Sequence, residues 1–130
     1  MQQWGHLPGR PWSNKFRDAF RGLKLGVRGQ SSFFVHFFMA AAVLAAGWVL
    51  GLDRLWEWCV LLLCITVVLT AEMFNTAMES MARAFTDEMN AELGKALDIG
   101  SAAVLISAIG AAVVGSVVFL GRLGTLLQWW

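Results

Sequence analysis

LWEWCVLLLCITVVLTAEMFNTAMESMAR, residues 55–83, reads as one long helix whose apolar first part gives way to a row of polar residues. Glu72, Asn75 and Glu79 are three and seven residues apart, a spacing that a helix brings within about 60° of one another. A charge at the centre of a spanning helix costs roughly 2.5–3.5 kcal/mol even on a mild insertion scale. Acids within such a segment therefore read as functional until a partner explains them.

The rest of the 130-residue chain fits a membrane setting, with 58% hydrophobic and 15% charged residues and a mean hydropathy of +0.61. That length allows about three spans of roughly 20 residues plus one further element, leaving too little for a separate soluble catalytic domain. Any active site must be built from the spans themselves. A net charge of +1 does not mark a nucleic-acid binder, and the basic residues gather at one end. Cys59 and Cys64 are five residues apart and about 140° apart on a helix, so they cannot bridge each other there. With His6 and His36 in other segments, neither a disulfide nor a zinc site is expected.

The N-terminal part does not read as a secretory signal and is expected to remain in the mature protein. Phe16, Phe20, Leu23 and Val27 recur at steps of four, three and four, and Arg17, Arg21, Lys24 and Arg28 repeat those steps one residue later. This predicts a basic amphipathic surface helix over 13–29, capped by Ser13, that lies on anionic headgroups. Three spans are predicted over 33–52, 55–83 and 99–120, giving an all-α membrane protein in a single domain, 1–130. Gly51, Asp53 and Arg54 leave room for only a tight turn between the first two spans. A polar stretch over 84–94 connects the second to the third.

Six basic residues against one acid precede the first span, which by the positive-inside rule puts the N-terminus and the 84–94 connection in the cytoplasm. Trp48, Trp56, Trp58, Trp129 and Trp130 fall at the opposite, outer ends, as an aromatic belt requires, and the C-terminus lies on that side. Counting from Trp56 at about 1.5 Å per residue places Glu72 roughly 24 Å inward in a layer about 30 Å thick. Glu79 is about 10 Å further, at the cytoplasmic water. One helix face thus joins a lipid-accessible carboxylate to a water-accessible one, an arrangement suited to a lipid reacting with a soluble ionic substrate.

The segment from Glu72 to Val104, with E-x-x-N-T-A-x-E, a spacer of eighteen residues and then D-I-G-S-A-A-V, resembles the prokaryotic diacylglycerol kinase and undecaprenol kinase family. Glu72, Asn75, Thr76, Ala77, Glu79, Asp98 and Gly100 to Ala103 fit the family pattern without a gap. The stretch Ser32-Phe33-Phe34-Val35-His36 is also similar to the N-F-R-x-H sequence of the undecaprenol kinase branch. The resemblance covers all but about the ten outermost residues at each end.

The resemblance implies transfer of the ATP γ-phosphate to the hydroxyl of a membrane lipid in the bacterial inner membrane, with the active site facing the cytoplasm. It implies Glu72 as general base, Asn75 as the group that positions the hydroxyl or a phosphate oxygen, and Glu79 as a ligand of Mg²⁺. It further implies Asp98 as a second acidic contact in the metal or nucleotide environment, and a homotrimer with sites shared between subunits; Arg83, Lys95 and Arg17 are added as candidate nucleotide contacts. The third span's stripe of Ala103, Ser107, Ala111 and Gly115 allows close helix packing, within or between chains.

The chain also departs from the family. Gln30 stands where a metal-binding glutamate is usual, Leu97 precedes Asp98 where lysine is usual, and Arg83 replaces an aspartate one turn after Glu79. A carboxamide is a weaker Mg²⁺ ligand than a carboxylate, whereas the planar fork of Arg83 suits direct contact with phosphates. The acceptor remains open between diacylglycerol and undecaprenol. Apolar side chains such as Phe33, Phe37 and Met73 discriminate poorly between acyl and prenyl chains, and His36 leans toward the second. Two other readings are a catalytically impaired lipid-binding or assembly protein and a small proton-coupled transporter using Glu72.

Overall fold

A computed structural model of the protein describes residues 11–28, 31–85, 88 and 90–129. These residues form four helices and no strand: α1 (Trp12–Val27), α2 (Ser31–Val49), α3 (Leu55–Phe85) and α4 (Ala91–Leu126). The last three are long and apolar enough to cross a membrane. At 31 and 36 residues, α3 and α4 run about 46 and 54 Å, well beyond a hydrocarbon layer of about 30 Å. Gln30 and Trp130 lie outside the described residues.

α1 begins one residue before the expected start. Ser13, expected as its cap, lies inside the first turn, and the Pro11 carbonyl instead accepts from the amides of Asn14 at 3.0 Å and Lys15 at 3.3 Å. The Lys15 Nζ stands 4.5 Å from the centre of the Trp12 ring, a contact between residues one helical turn apart. Phe16, Phe20 and Leu23 remain exposed. α1 approaches α3 at Gly26, where an added Cβ would come within 2.6 Å of the Met73 Sδ.

α2 ends in a pair of bonds from the Leu52 amide to the Gly47 carbonyl at 3.0 Å and from the Gly51 amide to the Trp48 carbonyl at 3.1 Å. This closure needs a left-handed residue between them, and Gly51 supplies it at φ 67°. Leu52 folds back on Gly47 and accepts from Trp58 Nε1 through its carbonyl at 3.1 Å. The start of α3 is closed reciprocally: the Arg54 amide donates to Glu57 Oε2 at 3.3 Å and the Glu57 amide to the Arg54 carbonyl at 3.1 Å. Glu57 is thereby explained as a buried cap.

The third span was expected over 99–120, but α4 is continuous from Ala91. Asn90 caps it, with its Oδ1 accepting from the Leu93 amide at 2.8 Å, and the polar turns bearing Glu92, Lys95 and Asp98 extend the helix beyond its apolar segment. At the far end Arg122 Nε donates to the Leu50 carbonyl at 3.0 Å, and its Nη1 lies 3.4 Å from Asp53 Oδ2. This ties α4 to the α2–α3 turn, so Trp48, Trp56, Trp58 and Trp129 share one end of the bundle. A small core of Leu52, Leu61 and Val118 packs near that end, and α3 is the central helix, touching the other three.

Candidate functional site

The polar row of α3 lies away from the tryptophan end, and each member has a different environment. Glu72 is 3% exposed. Two residues one turn apart on α2 face its two oxygens: Ser32 Oγ donates to Oε1, and His36 Nε2 lies 3.7 Å from Oε2. The pair Ser32 and His36 shares a face because i and i+4 positions stack along a helix. Phe33, nearly fully buried and tilted against Phe37 at 5.8 Å, fixes α2 beside this contact.

One turn along α3, Asn75 Nδ2 donates to Glu79 Oε1 at 3.0 Å. The other amide atom, Oδ1, is buried with no hydrogen-bond partner among the described residues. It faces α4 at Gly100, where an added Cβ would come within 2.6 Å of it. Glu79 is more open, its side chain 34% exposed, and its second oxygen lies 3.7 Å from Arg83 Nη1. Asn75, Glu79 and Arg83 thus form a string running outward from the buried Glu72. Ser80 Oγ, within 3.5 Å of Arg83 Nη2, extends its polar surround.

The other residues singled out in the sequence are not drawn into this string within one chain. Lys95 pairs with Glu92 at 2.7 Å on the exposed side of α4, and Asp98 and Arg17 are exposed. Gln30 lies outside the described residues. No group of three or more His, Cys, Asp or Glu side chains converges among the described residues. Cys59 and Cys64 are free thiols.

Sequence reasoning missed three neighbours of the row. Ser32 and His36 were read only as part of a motif, although two polar residues at i and i+4 in an apolar segment could have flagged a shared partner. Gly100 was read only as a motif position. An apolar cavity of about 620 Å³ lies between α2, α3 and α4, lined among others by Val43, Leu61, Val68, Ala111 and Phe119. His36 forms part of its wall.

Chemically, the arrangement offers a buried carboxylate beside an apolar space at one end and a partly open carboxylate with a guanidinium at the other. Glu79 is a hard oxygen donor, and Mg²⁺ commonly uses one or two carboxylates together with substrate phosphates and water, so the donor set fits an ion that arrives with a nucleotide.

A family model for prokaryotic diacylglycerol kinase matches residues 17–119. A diacylglycerol kinase of Synechocystis sp. (strain ATCC 27184 / PCC 6803 / Kazusa) is 34% identical over 113 residues, which cover 86% of this chain and 64% of that protein. An undecaprenol kinase of Bacillus subtilis (strain 168) is 31% identical over 108 residues, 83% of this chain and 87% of that protein. The chain thus spans less than two thirds of the first relative and most of the second.

Proposed function

The chain belongs to the prokaryotic diacylglycerol kinase family, and from that premise we propose that it is an integral membrane lipid kinase that moves the γ-phosphate of ATP to the hydroxyl of a lipid alcohol. The observation that carries this reading is the outward gradient along α3. Glu72 is buried beside an apolar cavity's polar wall, Asn75 is buried next to it, and Glu79 and Arg83 open toward solvent. A hydrophobic acceptor and a charged donor would meet along that line. Base chemistry belongs at its buried end, and phosphate binding belongs at its open end.

Glu72 and its α2 partners would take the hydroxyl proton, and Asn75 would hold Glu79 in place through its amide. Glu79 would hold Mg²⁺ together with the nucleotide phosphates, and the ion would neutralise the charge that builds up on the transferring group. Arg83 would add a fixed positive charge beside Glu79, at the position where the family resemblance implies an aspartate. Lys95, Asp98 and Arg17 would reach the nucleotide from another subunit or on closure, in a homotrimer whose sites lie between neighbours. The basic face of α1 would rest on the cytoplasmic leaflet of the bacterial inner membrane, with the tryptophan end of the bundle outward.

The ion pair between Glu79 and Arg83 favours one second reading, a family member that retains the fold for lipid binding or assembly and has lost turnover. Incubating purified protein with MgATP and either diacylglycerol or undecaprenol, then identifying lipids by mass spectrometry, separates the two. Phosphatidic acid or undecaprenyl phosphate supports the kinase and names its acceptor. No phosphorylated lipid from either alcohol supports the second reading.

A further inference from the structure

Glu79 has a neighbour at each of its two oxygens. Asn75 Nδ2 donates to Oε1 at 3.0 Å, and Arg83 Nη1 stands 3.7 Å from Oε2. The two neighbours differ in kind: the amide of Asn75 is neutral and holds the carboxylate in place, whereas Arg83 sets a full positive charge beside it. At that distance the guanidinium acts on Glu79 through its charge, and the effect does not depend on the angle of any single hydrogen bond. Arg83 is kept on this face by its place one turn after Glu79 and by Ser80 Oγ, 3.5 Å from its Nη2. A guanidinium stays protonated at every working pH, so the charge is permanent.

Glu79 and Arg83 sum to zero charge, and no group of three or more His, Cys, Asp or Glu side chains converges among the described residues to make this end of the row acidic. A bare divalent cation arriving there would gain one carboxylate and meet one fixed cation at close range. A divalent cation carried by a triphosphate is a different ligand, because the complex as a whole is an anion. It offers phosphate oxygens to the guanidinium and the ion to the carboxylate, so the pair that repels the first ligand receives the second. Both side chains reach solvent, that of Arg83 being 64% exposed and that of Glu79 34%. The guanidinium therefore has room to turn from the carboxylate to a phosphate with the backbone of α3 in place.

We propose that Arg83 is the specificity residue of the open end of the row, closing Glu79 to bare divalent cations and admitting the ion as part of its nucleoside triphosphate complex. The proposal rests on the lipid kinase reading and deepens it by naming what the site takes. Metal and nucleotide enter as one anionic ligand, and free cation does not occupy Glu79 ahead of the nucleotide.

Binding of Mn²⁺, a hard divalent ion suited to carboxylate and water ligands, tests this by the loss of its free electron paramagnetic resonance signal. The full chain in detergent is titrated with Mn²⁺ alone and with Mn²⁺ plus β,γ-methylene ATP, at one low ionic strength because salt screens the effect. The variants are Arg83→Ala, Arg83→Lys and Arg83→Ala/Glu79→Gln, each checked against the parent by thermal unfolding. Without nucleotide, Arg83→Ala is expected to bind Mn²⁺ about tenfold more tightly than the parent. Arg83→Lys, which keeps the charge and loses the fork, is expected to bind it as weakly as the parent. The double variant is expected to lose the gained site. With β,γ-methylene ATP the order reverses, and the parent is expected to bind the ion more tightly than Arg83→Ala. Bare-ion affinity in Arg83→Ala within about threefold of the parent, or a gained site that survives Glu79→Gln, overturns the Arg83 assignment and leaves the kinase reading intact. A parent that takes up no Mn²⁺ with β,γ-methylene ATP removes the nucleotide site and both readings with it.

Discussion

Gly100 and Asn75 meet so closely across the α3–α4 interface that a single added methyl would come within 2.6 Å of the Asn75 Oδ1. The amide cannot retreat without loss, because its Nδ2 is bonded to Glu79 at 3.0 Å. Gly100→Ala is therefore expected to destabilise the bundle by roughly 1–3 kcal/mol through overpacking. It is also expected to lower kcat by about 10²-fold by shifting Asn75 and Glu79 together. Thermal unfolding and turnover of the variant check both, and an unchanged kcat would separate Asn75 from catalysis.

Gly94 gives the opposite expectation from the same residue type. It lies in the second turn of α4 with nothing within 4 Å of an added Cβ. Gly94→Ala is expected to stabilise the protein by about 0.5–1 kcal/mol, because alanine loses less backbone freedom in a helix. A rise in the unfolding midpoint with unaltered kinetics is the expected result.

Under the proposed function Arg83 acts on the nucleotide through charge; it stands 3.7 Å from Glu79 with its side chain 64% exposed. As a stability element an exposed pair of this kind contributes only about 0–1 kcal/mol. Arg83→Ala is thus expected to leave the unfolding midpoint nearly unchanged while raising the KM for ATP by about tenfold, the equivalent of about 1.4 kcal/mol of lost phosphate contact. ATP kinetics identical to the parent's would show that Arg83 plays no part in the site.

At the other end of the bundle Arg122 holds the α2–α3 turn through two contacts of unequal worth. Its bond to the Leu50 carbonyl satisfies a helix-end acceptor, and its pairing with Asp53 involves a carboxylate that is 67% exposed. Arg122→Ala is expected to cost roughly 1–3 kcal/mol and Asp53→Asn less than about 1 kcal/mol. Equal losses in thermal unfolding would place the stabilisation in the ion pair instead.

Much of this architecture is legible in the chain because it is local. Apolar runs mark α2, α3 and the middle of α4, a paired recurrence of apolar and basic residues marks α1, and Gly51 marks the turn. The polar row of α3 is legible for the same reason, since a helix repeats every 3.6 residues. What is not legible is where one element meets another. Ser32 and Glu72 are 40 residues apart in sequence, and no periodicity within α2 says which residue of α3 it will face. Gly100 is similar: its tight approach to Asn75 belongs to the interface, not to either helix. The early start of α4 was hidden because its first turns, with Glu92, Lys95 and Asp98, carry a helix out of the bilayer and lose the apolar signal that marks a span. Ser13 has the chemistry of a cap, but the helix starts one residue earlier, at Trp12, with Pro11 in the cap position.

The central claim is that this chain transfers the terminal phosphate of ATP to a lipid through the Glu72 end of the α3 row. Its most direct measurement follows label from ATP into extracted lipid, with γ-labelled and α-labelled nucleotide in parallel and with the parent and Glu72→Gln. The expected result is label in lipid from γ-labelled ATP alone, reduced by about 10²–10⁴-fold in Glu72→Gln. No label in lipid from the parent, or the same rate from Glu72→Gln as from the parent, would contradict the account.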